Sequence, residues 1–547
     1  MENNKMQQSL LIGALTSSFG IFISKLLGLF YYSPLSSLAS EENMAFYSYA
    51  YAYYDVLLQI SSAGIPFAIA ALVARYVAKK DYKTVLLIKK LGTSIIMALS
   101  FVVGIVFFLF STPLAKQLLG SSAPLEDIEH LTNLFYILLI AIIAVPFLSA
   151  IRGYIQGLKR LDIYASSQVL EQFVRVLSII VGAFVIVKVF NLESIWAIYV
   201  AIAAASLGAI VAIVFTKLFA RNDEKHVLEL ASKQSFDSGI TSKEVTKEIL
   251  TIGIPYVIIS FLGTAGPLVN TTFFMDYITK VNGPSIYQSA KLASGILQAN
   301  IAKISNIPSV LALGFGSGMV PYLSESLEEK DNHKITRQIN QILDTVTFIL
   351  VPMIVIFAFF AKDIYYIMYG NMNLDLGASL FTVSNIQIFL GTIAPVFSSI
   401  MMSLRLRKEA IITLIISFVI KLITFFPCVK QFGTYGMIYS SGFYYLFQIL
   451  MYFYYLRIRF GINIRGASKR LIMICACSIV MVLPSFFVHR LVEFAYQSRI
   501  KDILLMGGLG LWMAINYYFV TTIAGLPQKI FGLKDVTIKK LLKKFRL

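Results

Sequence analysis

The chain has 547 residues, 57% of them hydrophobic and only 14% charged, with a mean hydropathy of +0.75. No soluble domain of that length hides so much apolar surface, so composition excludes a soluble globular protein and implies a polytopic membrane protein. A net charge of +18 would fit a nucleic-acid partner in a soluble chain, but here its distribution over the loops assigns it to topology and to anionic lipid.

Apolar windows of roughly 20 residues predict an all-α protein with about fourteen transmembrane helices. They begin near residues 9, 44, 86, 131, 163, 194, 247, 291, 339, 377, 409, 434, 469 and 501. The runs are continuous and lack the period-two alternation of a membrane barrel. The first lies between Lys5 and Glu41 and carries one charge, Lys25. It is too long for a cleavable signal and is read as a spanning helix. In the second helix Asp55 is the only charge between Glu42 and Arg75. It is either a structural partner for a buried lysine or a coupling carboxylate. Tyrosines cluster in YYSP and FYSYAYAYYD, as an interfacial belt or a sugar-binding surface.

Basic residues fill alternate loops. Arg75, Lys79, Lys80, Lys83, Lys89 and Lys90 fill one, Arg152, Lys159 and Arg160 the next, and Arg405, Arg407 and Lys408 a later one. The loops between them carry Glu41 and Glu42, then Glu126, Asp127 and Glu129. This is the positive-inside pattern, with both termini cytoplasmic and an even number of helices. In the fifth helix Glu171 and Arg175 are four apart and can meet on one face.

The polar stretch from Lys217 to Lys247 reads as a linker without apolar period. It divides the chain into an N-terminal six-helix lobe (1–220), a cytoplasmic linker (221–246), a C-terminal six-helix lobe (247–460), an extra helix pair (461–525) and a basic tail (526–547). The lobes share weak similarity. Ile12-Gly13 matches Ile252-Gly253, Gly64-Ile65-Pro66 matches Asn306-Ile307-Pro308, and PFLSAI from Pro146 matches PVFSSI from Pro395, at offsets of 240, 242 and 249. The last match sets Lys159 against Lys408. A duplicated six-helix unit places a substrate site between its copies. The extra pair either walls a groove for a lipid tail or serves stability.

Lys303 repeats the arrangement of Lys25, as the only charge between Lys291 and Glu325. It lies twelve residues from Lys291, about 18 Å along a helix. An ammonium at that depth costs several kcal/mol, so it faces either a cavity that receives an anion or an ion-pair partner. Lys421, set near the outer end of its helix, is expected to snorkel. Three cysteines are too few and badly spaced for a disulfide frame or zinc site, and four scattered histidines read as surface residues. No Walker, HExxH or paired-Cys motif occurs, and the glycines of LGFGSGM follow no strand. No metal, no cofactor and no enzyme activity is expected.

SEENMAFYSYAY, SSAGIPFAIAALVARYVAKK and PFLSAIRGYIQGLKRLDIYASSQVLEQFVRV resemble the MurJ/SpoVB-type polysaccharide flippases of Gram-positive bacteria, within the MATE/oligosaccharide flippase superfamily. The resemblance covers essentially the whole chain. It implies a bacterial cytoplasmic membrane protein that carries a polyprenyl-diphosphate-linked glycan, most of all lipid II, to the outer leaflet by alternating access. ISKLLG and IAKISNIPSVLALGFGSGMVPYLS place Lys25 and Lys303 where that family carries cavity cations. Tyr31 and Leu58 stand where Gram-negative members have further arginines. An acidic sodium-site residue has no counterpart in IITLIISFVIKLITFFP, so sodium coupling does not carry over. The implied partners are the substrate, anionic lipid and cell-wall synthesis proteins around a monomer, with no nucleic acid. The rival readings are a flippase for a capsule, teichoic-acid or spore-related precursor, a multidrug exporter of the same fold, and a scaffold for cell-wall enzymes. A cationic drug would call for an acidic cavity, and a scaffold would not require lysines at mid-bilayer.

Overall fold

The computed structural model describes residues 28, 31–62, 64–236, 239–309, 323, 326–327, 329–463, 465–491 and 498–531. Among them there is no strand. In chain order the first unit's helices are α1 (Tyr32–Ala39), α2 (Met44–Ser62), α3 (Ile65–Ala78), α4 (Tyr82–Leu119), α5 (Leu125–Gly157), α6 (Leu161–Phe184), α7 (Ile195–Phe219), α8 (Arg221–Lys233), α9 (Ser242–Asn282) and α10 (Tyr287–Gly295). After the π-helical segment Ile296–Ile301 come α11 (Asn332–Phe359), α12 (Ala361–Tyr369), α13 (Leu374–Ser403), α14 (Arg407–Phe432), α15 (Tyr435–Phe460), α16 (Arg465–Leu491), α17 (Arg499–Ile523) and α18 (Leu526–Phe531).

Eleven helices among the described residues are long and apolar enough to cross a membrane. The sequence count of about fourteen includes three more. The first falls almost wholly outside the described residues, and the eighth, helical over 287–309, runs on into undescribed ones. The twelfth is α15, a helix of 26 residues whose tyrosines and Gln448 lower its hydropathy.

The chain gathers into two compact units, Met1–Ala299 and Asn300–Leu547, divided within the π-helical segment. The repeat read from sequence divides the chain earlier, at 221–246. Packing explains the later division, because α9 lies against α2, α3 and α4 of the first unit. Gly64, at the break between α2 and α3, permits this approach: a Cβ there would fall 2.1 Å from the Gly253 carbonyl oxygen. The first unit's core joins Ile69, Leu72, Val85, Ile88 and Tyr154, and the second unit's joins Ile335, Ile339, Leu350, Met401 and Tyr452.

One backbone device recurs in both units. Lys80, Lys159, Lys330 and Arg405 each take positive φ at a helix end (58°, 64°, 57° and 60°). In each turn the next residue's N–H reaches back across the last helical turn: Asp81 to Tyr76, Arg160 to Ile155, Asp331 to Ser326 and Leu406 to Met401, at 2.9–3.2 Å. This closure satisfies a terminal carbonyl that hydrocarbon or a dry interface could not. Asp81 and Asp331 then cap the following helices through the N–H groups of Thr84 and Lys334. Pro146 and Pro395 both stand 21 residues after the first residue of their helices, Leu125 and Leu374. The turns thus set Lys159 against Arg405, where the sequence match had set it against Lys408.

The expected linker is partly a helix. In α8, Val227 and Ala231 are buried, so the stretch has an apolar face after all. Asp223 pairs with Arg160, Glu224 with Lys89, and Gln234 donates to Asp81 at 2.9 Å. The Asp162 hydrogen bond, with Asp223 adding to it against partial burial, pushes the Arg160 guanidinium up from its ordinary value. The C-terminal pair is tied to its own unit: α16 packs on α11, and α17 on α16 and α12. Arg470 donates to the buried Asp344 carboxylate at 2.7 Å, and the Tyr517 hydroxyl to the Phe348 carbonyl at 2.7 Å. These contacts give the pair a stabilising role whatever else it does.

The orientation is open to direct test. In a cysteine-free background, a cysteine at Glu126, whose side chain is 79% exposed, should react with an impermeant thiol reagent on intact cells, and cysteines at Lys83 or Lys408 should not. The reverse labelling would invert the topology. Glu41, only 2% exposed, is unsuited to the experiment.

Candidate functional site

Two of the three charges singled out by sequence fall among the described residues. Lys25 lies outside them. Asp55 is exposed on α2 of the first unit, and Lys303 is half-buried in the second, on the helical stretch 302–309. Lys303 is the second residue beyond the π-helical segment, whose extra residue per turn rotates the downstream side chains relative to those upstream. The helix is anchored on both sides of it. Asn300 is fully buried; its amide donates to the Tyr365 hydroxyl at 3.0 Å, and its carbonyl accepts from Tyr369 at 2.9 Å. Ser309 meets Thr392 of α13 at 3.1 Å. Lys303 therefore has a fixed backbone and a side chain partly open.

The tyrosines of α2 do not form an interfacial belt. Tyr47, Tyr49 and Tyr54 are buried, together with Tyr31 and Tyr32 before them. Tyr31 and Tyr47 join hydroxyls at 2.6 Å, Tyr49 donates to Ser294 at 3.1 Å, and Tyr53 meets Thr272 at 2.8 Å. The aromatic stripe packs inside the first unit, where the hydroxyls of Tyr31, Tyr47, Tyr49 and Tyr53 meet other polar groups.

Two charged residues that sequence reading treated as boundary or loop residues, Arg152 and Lys291, are buried. Arg152, expected in a basic loop, lies within α5 at 9% exposure. Its Nε donates to Ser167 at 2.8 Å and its Nη1 to Glu171 at 2.7 Å. Arg175 takes the other oxygen of Glu171 at 2.8 Å, the i,i+4 contact that spacing predicts. Lys291, taken as a helix-end charge, is 2% exposed. It donates to Asp127 at 2.7 Å, stands 3.8 Å from Glu42, and lies 4.2 Å from the centre of the Phe46 ring. Tyr287 donates to the same Asp127 oxygen at 2.7 Å.

Lys421 does not snorkel. It lies midway along α14, is fully buried, and donates to Ser440 and Ser441 of α15 at 2.7 and 2.9 Å. The only advance sign of that arrangement was the Ser-Ser pair in a tyrosine-rich helix. The sign for Arg152 was its place five residues inside the end of an apolar run. Among the described residues no group of His, Cys, Asp and Glu could hold a metal ion.

Breaking the Lys291–Asp127 pair strands a buried ammonium, which costs about 3 kcal/mol or more where no second anion compensates. Asp127→Asn should therefore lower thermal stability markedly, with Glu42 recovering part. The joint replacement Asp127→Leu, Lys291→Met should cost far less. Equal losses from the two variants, measured by thermal unfolding in detergent, would show that the pair's charge is immaterial.

The sequence pattern of the family described as Polysaccharide biosynthesis protein matches residues 10–327. Lipid II flippase MurJ of Bacillus subtilis (strain 168) is 27% identical over 501 residues, 90% of this chain and 91% of its own. Stage V sporulation protein B of the same organism is 23% identical over 380 residues, 69% of each chain. Among solved structures, lipid II flippase MurJ in an inward closed conformation superposes with a TM-score of 0.64 at 15% identity, covering 93% of this chain and 98% of that one. An inward-facing multidrug resistance MATE family transporter of the MOP superfamily gives 0.59 at 14%, covering 82% and 96%. The fold is the one these transporters share.

Proposed function

Because the chain belongs to the polysaccharide biosynthesis protein family, we propose that it is a flippase for a lipid-linked glycan, carrying lipid II from the inner to the outer leaflet. The observation that carries this reading is Lys303, a cation held part-open beside a π-helical segment in a run otherwise free of charge from Lys291 to Glu325. The similarity to lipid II flippase MurJ over nine-tenths of the chain supports the substrate class.

The physical need is plain. A glycan-peptide head on a diphosphate carries many polar groups and about two charges, and hydrocarbon offers nothing to replace their hydration. Lys303, with Lys25 as its counterpart in the first helix, compensates the diphosphate while the polyprenyl tail stays in lipid. The two repeats then alternate access around the head, in a multi-pass protein of the bacterial cytoplasmic membrane with both termini inside. Asp55, exposed on α2, serves the same passage as a polar contact for the head. A multidrug exporter shares the fold, but among the described residues the cluster of Arg152, Glu171 and Arg175 has one arginine in excess of its carboxylate, which suits anions. The match to stage V sporulation protein B favours a second reading, a different polyprenyl-linked glycan.

Depleting the protein decides between these. Lipid II should accumulate on the cytoplasmic face while its outer-leaflet pool falls. Accumulation of another polyprenyl-linked glycan would replace the head group but keep the mechanism, and unchanged precursor pools would refute the flippase reading.

A further inference from the structure

The cluster of Arg152, Glu171 and Arg175 is not balanced. Among the described residues one carboxylate serves two guanidiniums, so the cluster keeps a positive charge, although its side chains are only 10%, 13% and 17% exposed. Arg175 stands at the middle of the 29-residue span Leu161–Val189. Two guanidinium donors, Arg152 Nη2 and Arg175 Nε, are buried without a hydrogen-bond partner among the described residues, and so is the Tyr54 hydroxyl. Tyr54 and Tyr51 of α2 lie within electrostatic reach of Arg175. On another side α7 closes in: a Cβ at Gly208 would fall 2.8 Å from the Glu171 carbonyl oxygen and 3.4 Å from Arg175 Cβ.

A packing ion pair needs one carboxylate for each cation and leaves no donor over. Excess charge and orphaned donors at this depth are both costly, and both costs vanish when an anion with oxygen acceptors arrives. The planar guanidinium suits phosphate and carboxylate oxygens in particular. We propose that Arg152 and Arg175, seated on Glu171 and flanked by Tyr54, form an oxyanion-binding subsite that takes a phosphate or carboxylate of the lipid-linked substrate. Arg152 Nη2 and Arg175 Nε are its donors, and Glu171 orients both. The identity of the substrate rests on the flippase reading; the site's preference for oxyanions does not.

The test uses the full-length protein in nanodiscs, with inorganic diphosphate, undecaprenyl diphosphate, and lipid II bearing free or amidated peptide carboxylates as probes. Binding and thermal unfolding are measured together. Arg175→Gln and Arg152→Gln should each weaken at least one probe about tenfold or more, as expected for a lost hydrogen bond between charged groups. Glu171→Gln, which removes the competing carboxylate, should tighten the same probe. Loss on both diphosphate probes identifies a phosphate subsite; loss confined to lipid II with free carboxylates identifies a peptide carboxylate. If Arg175→Gln fails to fold, Arg175→Lys with Glu171→Gln reads the same contrast, the lysine weakening the probe by losing the fork. The proposal is overturned if the variants merely melt earlier while their folded fractions bind every probe as the parent does. Should lipid II binding depend on Lys303 but not on Arg152 or Arg175, the flippase stands and the subsite falls. Should Arg175 hold inorganic diphosphate in a protein that binds no polyprenyl-linked glycan, the subsite stands and the flippase reading falls.

Discussion

Hydrocarbon offers no hydrogen bonds, and from that one constraint most of this structure follows. Each backbone N–H and C=O at membrane depth must be satisfied within its own segment, which leaves helices as the economical solution for continuous apolar runs. The constraint also acts where helices stop. The turns at Lys80, Lys159, Lys330 and Arg405 close their terminal carbonyls with main-chain bonds, and Asp81 and Asp331 cap the helices that follow. The same device appears twice in each unit.

Polar side chains obey the same rule, each in its own way. Lys421 exchanges water for two serine hydroxyls, Lys291 for Asp127, and Arg470 for Asp344. Those arrangements hold helices together. The Arg152–Glu171–Arg175 cluster differs because its charges do not cancel, and Lys303 because its side chain is only half-buried beside a π-helical segment. The excess charge of the arginine cluster is stored interaction free energy, available to a ligand of the opposite sign.

The legibility of these features in the sequence follows from their range. Helix positions, the basic turns and the Glu171–Arg175 pair depend on residues a few places apart, so periodicity and spacing revealed them. Arg152 joining Glu171, nineteen residues away, and Lys291 joining Asp127, 164 residues away, depend on which helices pack together. Lys421 was misread because a lone lysine in an apolar run looks the same whether it snorkels or meets Ser440 and Ser441. The linker looked irregular because α8 buries only Val227 and Ala231, too few to impose a visible period. The tyrosines of α2 looked interfacial because aromatic composition cannot distinguish a membrane belt from a polar-tipped core.

The central claim is that a lysine at membrane depth serves a diphosphate in transit. Proteoliposomes holding the purified protein and a fluorescent polyprenyl-diphosphate glycan measure this directly, through the rate at which the label becomes accessible across the bilayer. The account predicts rapid translocation by the parent protein, most of that rate with Lys303→Arg, and the rate of empty vesicles with Lys303→Gln at equal incorporation. Translocation by Lys303→Gln at the parent rate would contradict it.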